Sequence, residues 1–468
     1  MILKVRSIAN LGISFALLFQ PTFSISEKVQ PESKSYLATF KNKKNISDTI
    51  KSIQSTLNLV NPSKFPLDTG ISEKYKVLLN SSISTVLSLN LSQADFKIIS
   101  KIQGILSIEE DKQVVVHDFK PTNLYDFSDS LTEIGPEALN NEKIIPFFDI
   151  LSNEVSYPFS DDYSNWITQK YSPWQLGRVS SKTSIPFNYS PYGQEYYYPQ
   201  SKSDVIVYVV DSGIDSSHLE LAGKVRLGSN FVPSEDNVDY AGHGTAVAAV
   251  ISGVNNGVAK NAKIVSVKVL DKKNTGTTST VFQGLTWVLN DKKANYPDTP
   301  AIVNLSINFE APSNILNAAL KSLSDIGILT VSSSGNTATN QCEFFPGNSD
   351  YSLIVSSILP GSDSFDSIFS NFGPCVDILA PGNRVFSAVA GSVNEVRPYI
   401  GTSFAAGIVT GVGALVLSNS PNLTSNELFD TIIENGIENA ISNVPSDTKN
   451  LMIFNGYSGI KSKISYFN

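Results

Sequence analysis

From about Ser172 onward the chain alternates short, almost uninterrupted apolar runs with segments of helical period. DVIVYVVD precedes GTAVAAVISG, AKIVSVKVL precedes TSTVFQGLTWVLND, AIVNLSI precedes NILNAALKSLSDIG, and ILTVSSS follows. A strand apolar on both faces must be covered on both, and the intervening helices are the covers. The pattern predicts an α/β domain on a doubly wound parallel sheet. Such sheets collect their functional groups at the carboxyl ends of the strands, where each loop enters the next helix.

Three of these junctions carry reactive side chains. Asp211 ends the run VIVYVV, His243 stands in AGHGTAVAAV at the head of a small-residue helix, and Ser403 stands in YIGTSFAAGIVTGVGALVL at another helix start. Singly, each has an ordinary reading: a turn or cap carboxylate, a core histidine, a helix N-cap. Together they form an Asp–His–Ser relay. Serine is a poor nucleophile until imidazole takes its proton, and the carboxylate fixes the imidazole tautomer and stabilises its cation. A helix start at Ser403 adds backbone N–H groups facing developing negative charge. Asn336, in ILTVSSSGN, follows another apolar strand and is placed to donate its amide to an oxyanion. G-x-S-x-G is absent around Ser403 and the order is Asp, His, Ser, which sets aside an esterase of the α/β-hydrolase type.

Composition narrows the remaining classes. Lys plus Arg number 35 against 43 Asp plus Glu, a net charge of −8, so there is no basic surplus for phosphate contacts and no nucleic-acid partner is expected. With 41% apolar and 17% charged residues in a 468-residue chain, a sizeable core is expected rather than disorder. Two cysteines exclude a disulfide-rich scaffold and a four-ligand zinc site, and only three histidines are present. No cofactor is expected for catalysis.

Residues 1–26 have Lys4 and Arg6, an apolar run from Leu11 to Phe19, then small and polar residues. That is the layout of a secretory signal peptide, too short for a spanning helix. The run Phe404 to Leu417 is interrupted by glycines and also short, so no membrane span is expected. Sequons stand at Asn45, Asn80, Asn90, Asn188, Asn304 and Asn422, with Asn304 expected to be buried. In an oxidising compartment Cys342 and Cys375 can pair, although sequence alone does not bring their Cα atoms together.

Residues 27–117 read as a small strand–helix–strand–strand–helix–strand unit, with ILSIEEDKQVVV as its closing hairpin. Twelve basic and nine acidic residues leave this unit positive, whereas residues 118–171 form an acidic, aromatic-rich connector. Residues 172–458 are the main domain and 459–468 a C-terminal tail.

The stretches DSGIDSSHLEL, GHGT, GVAKNAKIVSVKVLD, SSSGN, FSNFGPCVDILAPG and GTSFAAG resemble the subtilisin-like serine proteases, the proteinase K group and its fungal secreted or vacuolar members above all. The resemblance implies that Asp211, His243 and Ser403 are a catalytic triad and Asn336 an oxyanion donor. It implies polypeptide substrates, bound as an added strand beside Gly276, Thr277, Thr278 and Ser306, Ile307, Asn308. It makes residues 27–117 an intramolecular inhibitor and folding aid, in an α+β unit of ferredoxin-like type. It implies a Cys342–Cys375 disulfide, and a structural calcium at Asp377, for which a turn carboxylate is the even alternative. A monomeric zymogen destined for the exterior, a vacuole or a cell wall follows. Self-cleavage is expected between about His117 and Lys120, with a cut near Ser172 as the alternative.

The chain also departs from the family pattern. Ala246 stands where HGTH is usual, Gly407 replaces a proline in GTSMA-x-P, Asn308 and Phe309 replace the glycines of LSLGG, and Ser333 and Ser334 stand where alanines are usual. These changes remove no reacting atom but are expected to reshape the pockets. A degenerate subtilase, binding partners with its propeptide retained, is the rival reading.

Overall fold

The computed structural model describes residues 33–41, 53, 75–80, 84–102, 104–116, 165–187 and 192–457. The signal peptide, residues 118–164 of the connector, His117, the C-terminal tail and most of the first helix expected in the N-terminal unit lie outside the described residues.

In the N-terminal unit β1 (Lys34–Lys41), β2 (Tyr75–Asn80), β3 (Ser84–Leu91) and β4 (Ile105–Glu110) form an antiparallel sheet in the order β2-β3-β1-β4. That order is the one a split βαβ unit produces. α1 (Gln93–Ile99) starts at a capping box between Ser92 and Asp95. Side-chain alternation sorts the faces: Tyr36, Ala38, Phe40, Leu87 and Leu89 pack with Ile99 inside the unit, while Leu37 and Val86 point outward into the core of the larger domain.

The expected hairpin over 105–116 does not form. β4 stays in the sheet, but β5 (Gln113–Val115) leaves it and pairs antiparallel with β11 (Thr275–Thr277), placing Val114 opposite Gly276. Val114 is buried in the larger domain's core, which rewards this long-range pairing over the local one.

The larger domain begins with β6 (Trp166–Ser172), α2 (Trp174–Val179) and β7 (Gln194–Pro199). β6 pairs with β7, so the boundary expected at 171/172 cuts through a strand and belongs upstream of Trp166. The main sheet uses β8 (Ile206–Asp211), β9 (Val225–Asn230), β10 (Lys263–Lys268), β12 (Ala301–Leu305), β13 (Leu329–Ser333), β14 (Ser352–Ile358), β15 (Ile378–Pro381), β18 (Ile437–Glu438) and β19 (Leu451–Met452). Their order is β18-β19-β15-β14-β13-β12-β8-β10-β9, parallel except for the edge strand β18.

Helices α3 (His243–Ser252), α4 (Thr278–Asn295), α5 (Asn314–Ser324), α6 (Thr402–Asn419) and α7 (Ser425–Asn435) cover this sheet. Along β8, Val207 and Val209 face the cluster that holds α3 and α6, whereas Ile206, Tyr208 and Val210 face the cluster that holds α4 and α5. The period-2 strand therefore feeds two cores, as its two-sided apolarity requires. α6 has the length and apolarity to cross a membrane, yet 89% of its most apolar window is buried inside the protein. It stays continuous through Gly407 and serves as the central core helix. A short hairpin, β16 (Val385–Ala388) with β17 (Val396–Tyr399), lies beside the head of α3.

Candidate active site

Strand β8 delivers Asp211 at its carboxyl end, and α3 delivers His243 as its first residue. Both are buried, with 0% and 4% of their surface exposed. His243 Nδ1 lies 2.7 Å from Asp211 Oδ1, which also accepts the Ser212 N–H at 2.6 Å. A carboxylate can only accept, so Nδ1 carries the proton and Nε2 is the basic nitrogen. Gly244 makes this approach sterically feasible: a Cβ there would stand 2.2 Å from the Gly213 carbonyl oxygen and 3.1 Å from Asp211 Cβ.

Ser403 is the second residue of α6, so its N–H lies in the first turn of a helix and points towards the helix start. Its carbonyl accepts from Ser306 Oγ at 3.2 Å, which ties the head of α6 to the end of β12. The rings of His243 and Phe404 lie 6.0 Å apart, so the heads of α3 and α6 converge.

Asn336 is oriented by Thr402. Its Oδ1 accepts from Thr402 N at 2.9 Å and from Thr402 Oγ1 at 2.8 Å, and Gly335 N donates in turn to Thr402 Oγ1 at 3.1 Å. With the oxygen so engaged, the amide's NH2 edge is its opposite, donating side.

One functional residue escaped the sequence reading. Asp239 is buried and accepts four hydrogen bonds: from Ser212 Oγ (2.8 Å), Gly242 N (2.9 Å), Thr245 N (2.9 Å) and Thr245 Oγ1 (2.6 Å). It thereby joins the residue after Asp211 to those flanking His243. Burial pushes its carboxyl above the ordinary range while the hydrogen bonds from Thr245, Ser212 and Gly242 oppose that shift. Beneath it, buried Lys268 donates to the Ser212 and Leu270 carbonyls and pairs with Glu235 at 3.2 Å. The terminal lysine of the apolar strand KIVSVK was the available signal for this support.

The remaining expected residues fall in several places. Gly276 and Thr277 lie in β11 and Thr278 opens α4, with β5 seated along them. Ile307 is buried, and Phe309 is buried in an antiparallel bridge to Phe345, so Phe309 belongs to the core and not to a pocket wall. Asn308 is half-buried and donates to the Ser333 carbonyl at 2.8 Å, while Ser333 Oγ donates to Asn308 Oδ1 at 3.1 Å. His218 accepts from Glu220 N and donates to the Glu395 carbonyl, a buried structural role. Asn304 is buried, its amide donating to Thr410 Oγ1.

Matching residues 202–456, the Peptidase_S8 (subtilase family) profile covers over half of the chain. This chain belongs to the subtilase family. It is 33% identical over 292 residues to the subtilase-type proteinase psp3 of Schizosaccharomyces pombe, covering 62% of this chain and 63% of that one. To Proteinase T of Parengyodontium album it is 33% identical over 294 residues, covering 62% of this chain and 94% of that one. Its fold is similar to that of a cold adapted subtilisin-like serine proteinase, with a TM-score of 0.55 and 32% identity over 61% of this chain and 99% of that chain. The match spans less than two thirds of psp3 and of the related isp6, 63% and 61% of their lengths.

In this subtilase Cys342 and Cys375 are disulfide-bonded, with Cα atoms 5.3 Å apart. Asp377 acts as a strand cap. Its Oδ2 accepts from Ile354 N at 2.8 Å, and burial pushes its carboxyl up to about 6, opposed by the Lys449 charge. Among the described residues no three His, Cys, Asp or Glu side chains gather as a metal site. Asp377 is already engaged by a backbone N–H and lies in the field of the Lys449 charge.

Proposed function

We propose that this subtilase is a secretory-pathway serine endopeptidase made as a zymogen, with residues 27–117 as its inhibitory propeptide. The observation that carries the reading is the buried Asp211–His243 couple, 2.7 Å between Oδ1 and Nδ1, set where α3 and α6 converge. His243 Nε2 takes the Ser403 hydroxyl proton as Oγ attacks the scissile carbonyl. The Asn336 amide and the Ser403 N–H hold the oxyanion. His243 then returns the proton to the leaving amine as the C–N bond breaks, and water releases the acyl-enzyme by the same route.

Zymogen character is supported by β5, which occupies β11 as an extended chain would. Self-cleavage between about His117 and Lys120 follows directly on that strand. A cut near Ser172 is disfavoured: Ser172 is buried and its Oγ donates to the Gln194 carbonyl, so β6 stays with the body. The disulfide accords with an oxidising compartment, and thus with residues 1–26 as a signal peptide. The working form is a monomer acting on polypeptides outside the cell, in a vacuole or at a cell wall.

The test uses the secreted protein and its Ser403→Ala variant. A fluorophosphonate probe should label only the processed wild type, and terminal sequencing should place a new N-terminus between about 118 and 120. Absence of Ser403-dependent label after propeptide removal would leave the binding-protein reading in its place.

A further inference from the structure

β12 and β13 are last paired at Leu305 and Ser332, and the chain beyond them leads to Ser306, whose Oγ donates to the Ser403 carbonyl, and to Asn336. Two side chains link these strand ends. Asn308 and Ser333 exchange hydrogen bonds, amide to carbonyl at 2.8 Å and hydroxyl to amide oxygen at 3.1 Å. Asn308 Oδ1 also lies over Gly335, 3.4 Å from where a Cβ would stand, and Gly335 leads directly into Asn336. Ser333 is buried and Asn308 half-buried.

Resting on the endopeptidase reading, we infer that the Asn308–Ser333 crosspiece sets the preference for the residue that supplies the scissile carbonyl, towards small side chains and against large aromatic ones. An extended substrate lies along β11 on one side, and its carbonyl oxygen must reach the Asn336 amide. The side chain of that same residue is then directed between the ends of β12 and β13, where the crosspiece stands. A small side chain leaves both hydrogen bonds intact. A phenyl ring has to displace Asn308, which strands a buried hydroxyl and a buried carbonyl. The two residues act as one device: truncating Asn308 removes both hydrogen bonds, whereas truncating Ser333 removes only the one its hydroxyl makes.

The test compares kcat/KM for peptides differing only at that residue, Ala, Ser, Leu or Phe, on the processed wild type, Ser333→Ala, Asn308→Gly and the double variant. The wild type should favour Ala over Phe by about tenfold or more, and the double variant should raise the Phe-to-Ala ratio about 10–100-fold, the range that pocket shape commands. Ser333→Ala, the mildest change, should raise the ratio about threefold, with the singles non-additive. Fluorophosphonate labelling of each variant reports an intact site. Labelled variants with the wild-type ratio, or a wild type preferring Phe, overturn this inference alone. No hydrolysis and no label in any of them overturns the endopeptidase reading and this inference together.

Discussion

Two carboxylates of the N-terminal unit sit on the starts of two helices of the larger domain. Glu109 accepts from Asn314 N at 3.0 Å, from Ile315 N at 3.4 Å and from Ser313 Oγ, which together form the start of α5. Asp111 Oδ1 accepts from Ser279 N at 2.8 Å in the first turn of α4. Both are half-buried, so solvent screens them only in part. A carboxylate capping a helix start contributes about 0.5–2 kcal/mol. Replacing both by Ala should therefore weaken the hold of the N-terminal unit by about 2–3 kcal/mol, roughly 30–150-fold in affinity. The assay titrates residues 27–117, produced separately, against processed enzyme and reads the inhibition constant. Asp111 also bonds Ser35 Oγ within its own unit at 3.3 Å, so circular dichroism of each variant is the folding control. Glu110, paired with Lys34 on the exposed surface, is the internal comparison: Glu110→Ala should stay within about threefold. Inhibition by the double variant within that same margin would show that helix capping does not hold the unit in place.

Asn336→Ala should lower kcat about 100–1,000-fold with little change in KM, because the amide is needed only once the oxyanion forms. Asp239→Asn leaves one acceptor oxygen where four donors converge; kcat should fall more than KM rises, and thermal unfolding should come earlier. Replacing Cys342 and Cys375 by Ser opens a loop of sequence separation 33 and should cost about 3–4 kcal/mol in denaturant unfolding. For Asp377 the folded carboxyl holds its proton up to about pH 6, whereas the unfolded one releases it at about 3.9. Between those values the folded state binds more protons, so stability falls as pH rises through that window. Asp377→Asn keeps an acceptor for Ile354 N and should flatten that fall in melting curves from pH 4 to 7, with an identical response to a calcium chelator.

The main sheet and the heads of α3 and α6 were legible because two-sided apolar strands and the residues ending them are written locally. Asp211, His243, Ser403 and Asn336 each sit at such an end. What escaped depends on which segments meet. ILSIEEDKQVVV has two β-like runs around a polar break, and its local pattern does not say that Val114 will pack in another domain's core. Phe309 stands where the family pattern has a glycine of LSLGG, which points to a pocket, but its partner Phe345 draws it into the core. Asp239 looks like any loop carboxylate until the loop closes over Ser212 and Thr245. Asn308 and Ser333 look like two independent departures from a family pattern, yet one compensates the other.

The electrostatics of the N-terminal unit show the same division between composition and contact. Its surplus of basic residues suggests attraction to an acidic body, which acts at a distance and can speed encounter. The contacts at the seam are instead made by Glu109 and Asp111, acids set against helix starts whose partial charge is positive. Because α4 begins where β11 ends, this docking also sets register. Lys112 accepts from Thr278 N at 2.9 Å and donates to Thr278 Oγ1 at 3.2 Å, which leaves Gln113 facing Thr277 and Val114 facing Gly276. An ordinary peptide on β11 would make the same strand pairing without the two caps. On the zymogen reading proposed above, the caps favour the N-terminal unit over substrate on this strand, and the same stretch, Glu109 to Val115, both anchors the unit and occupies β11.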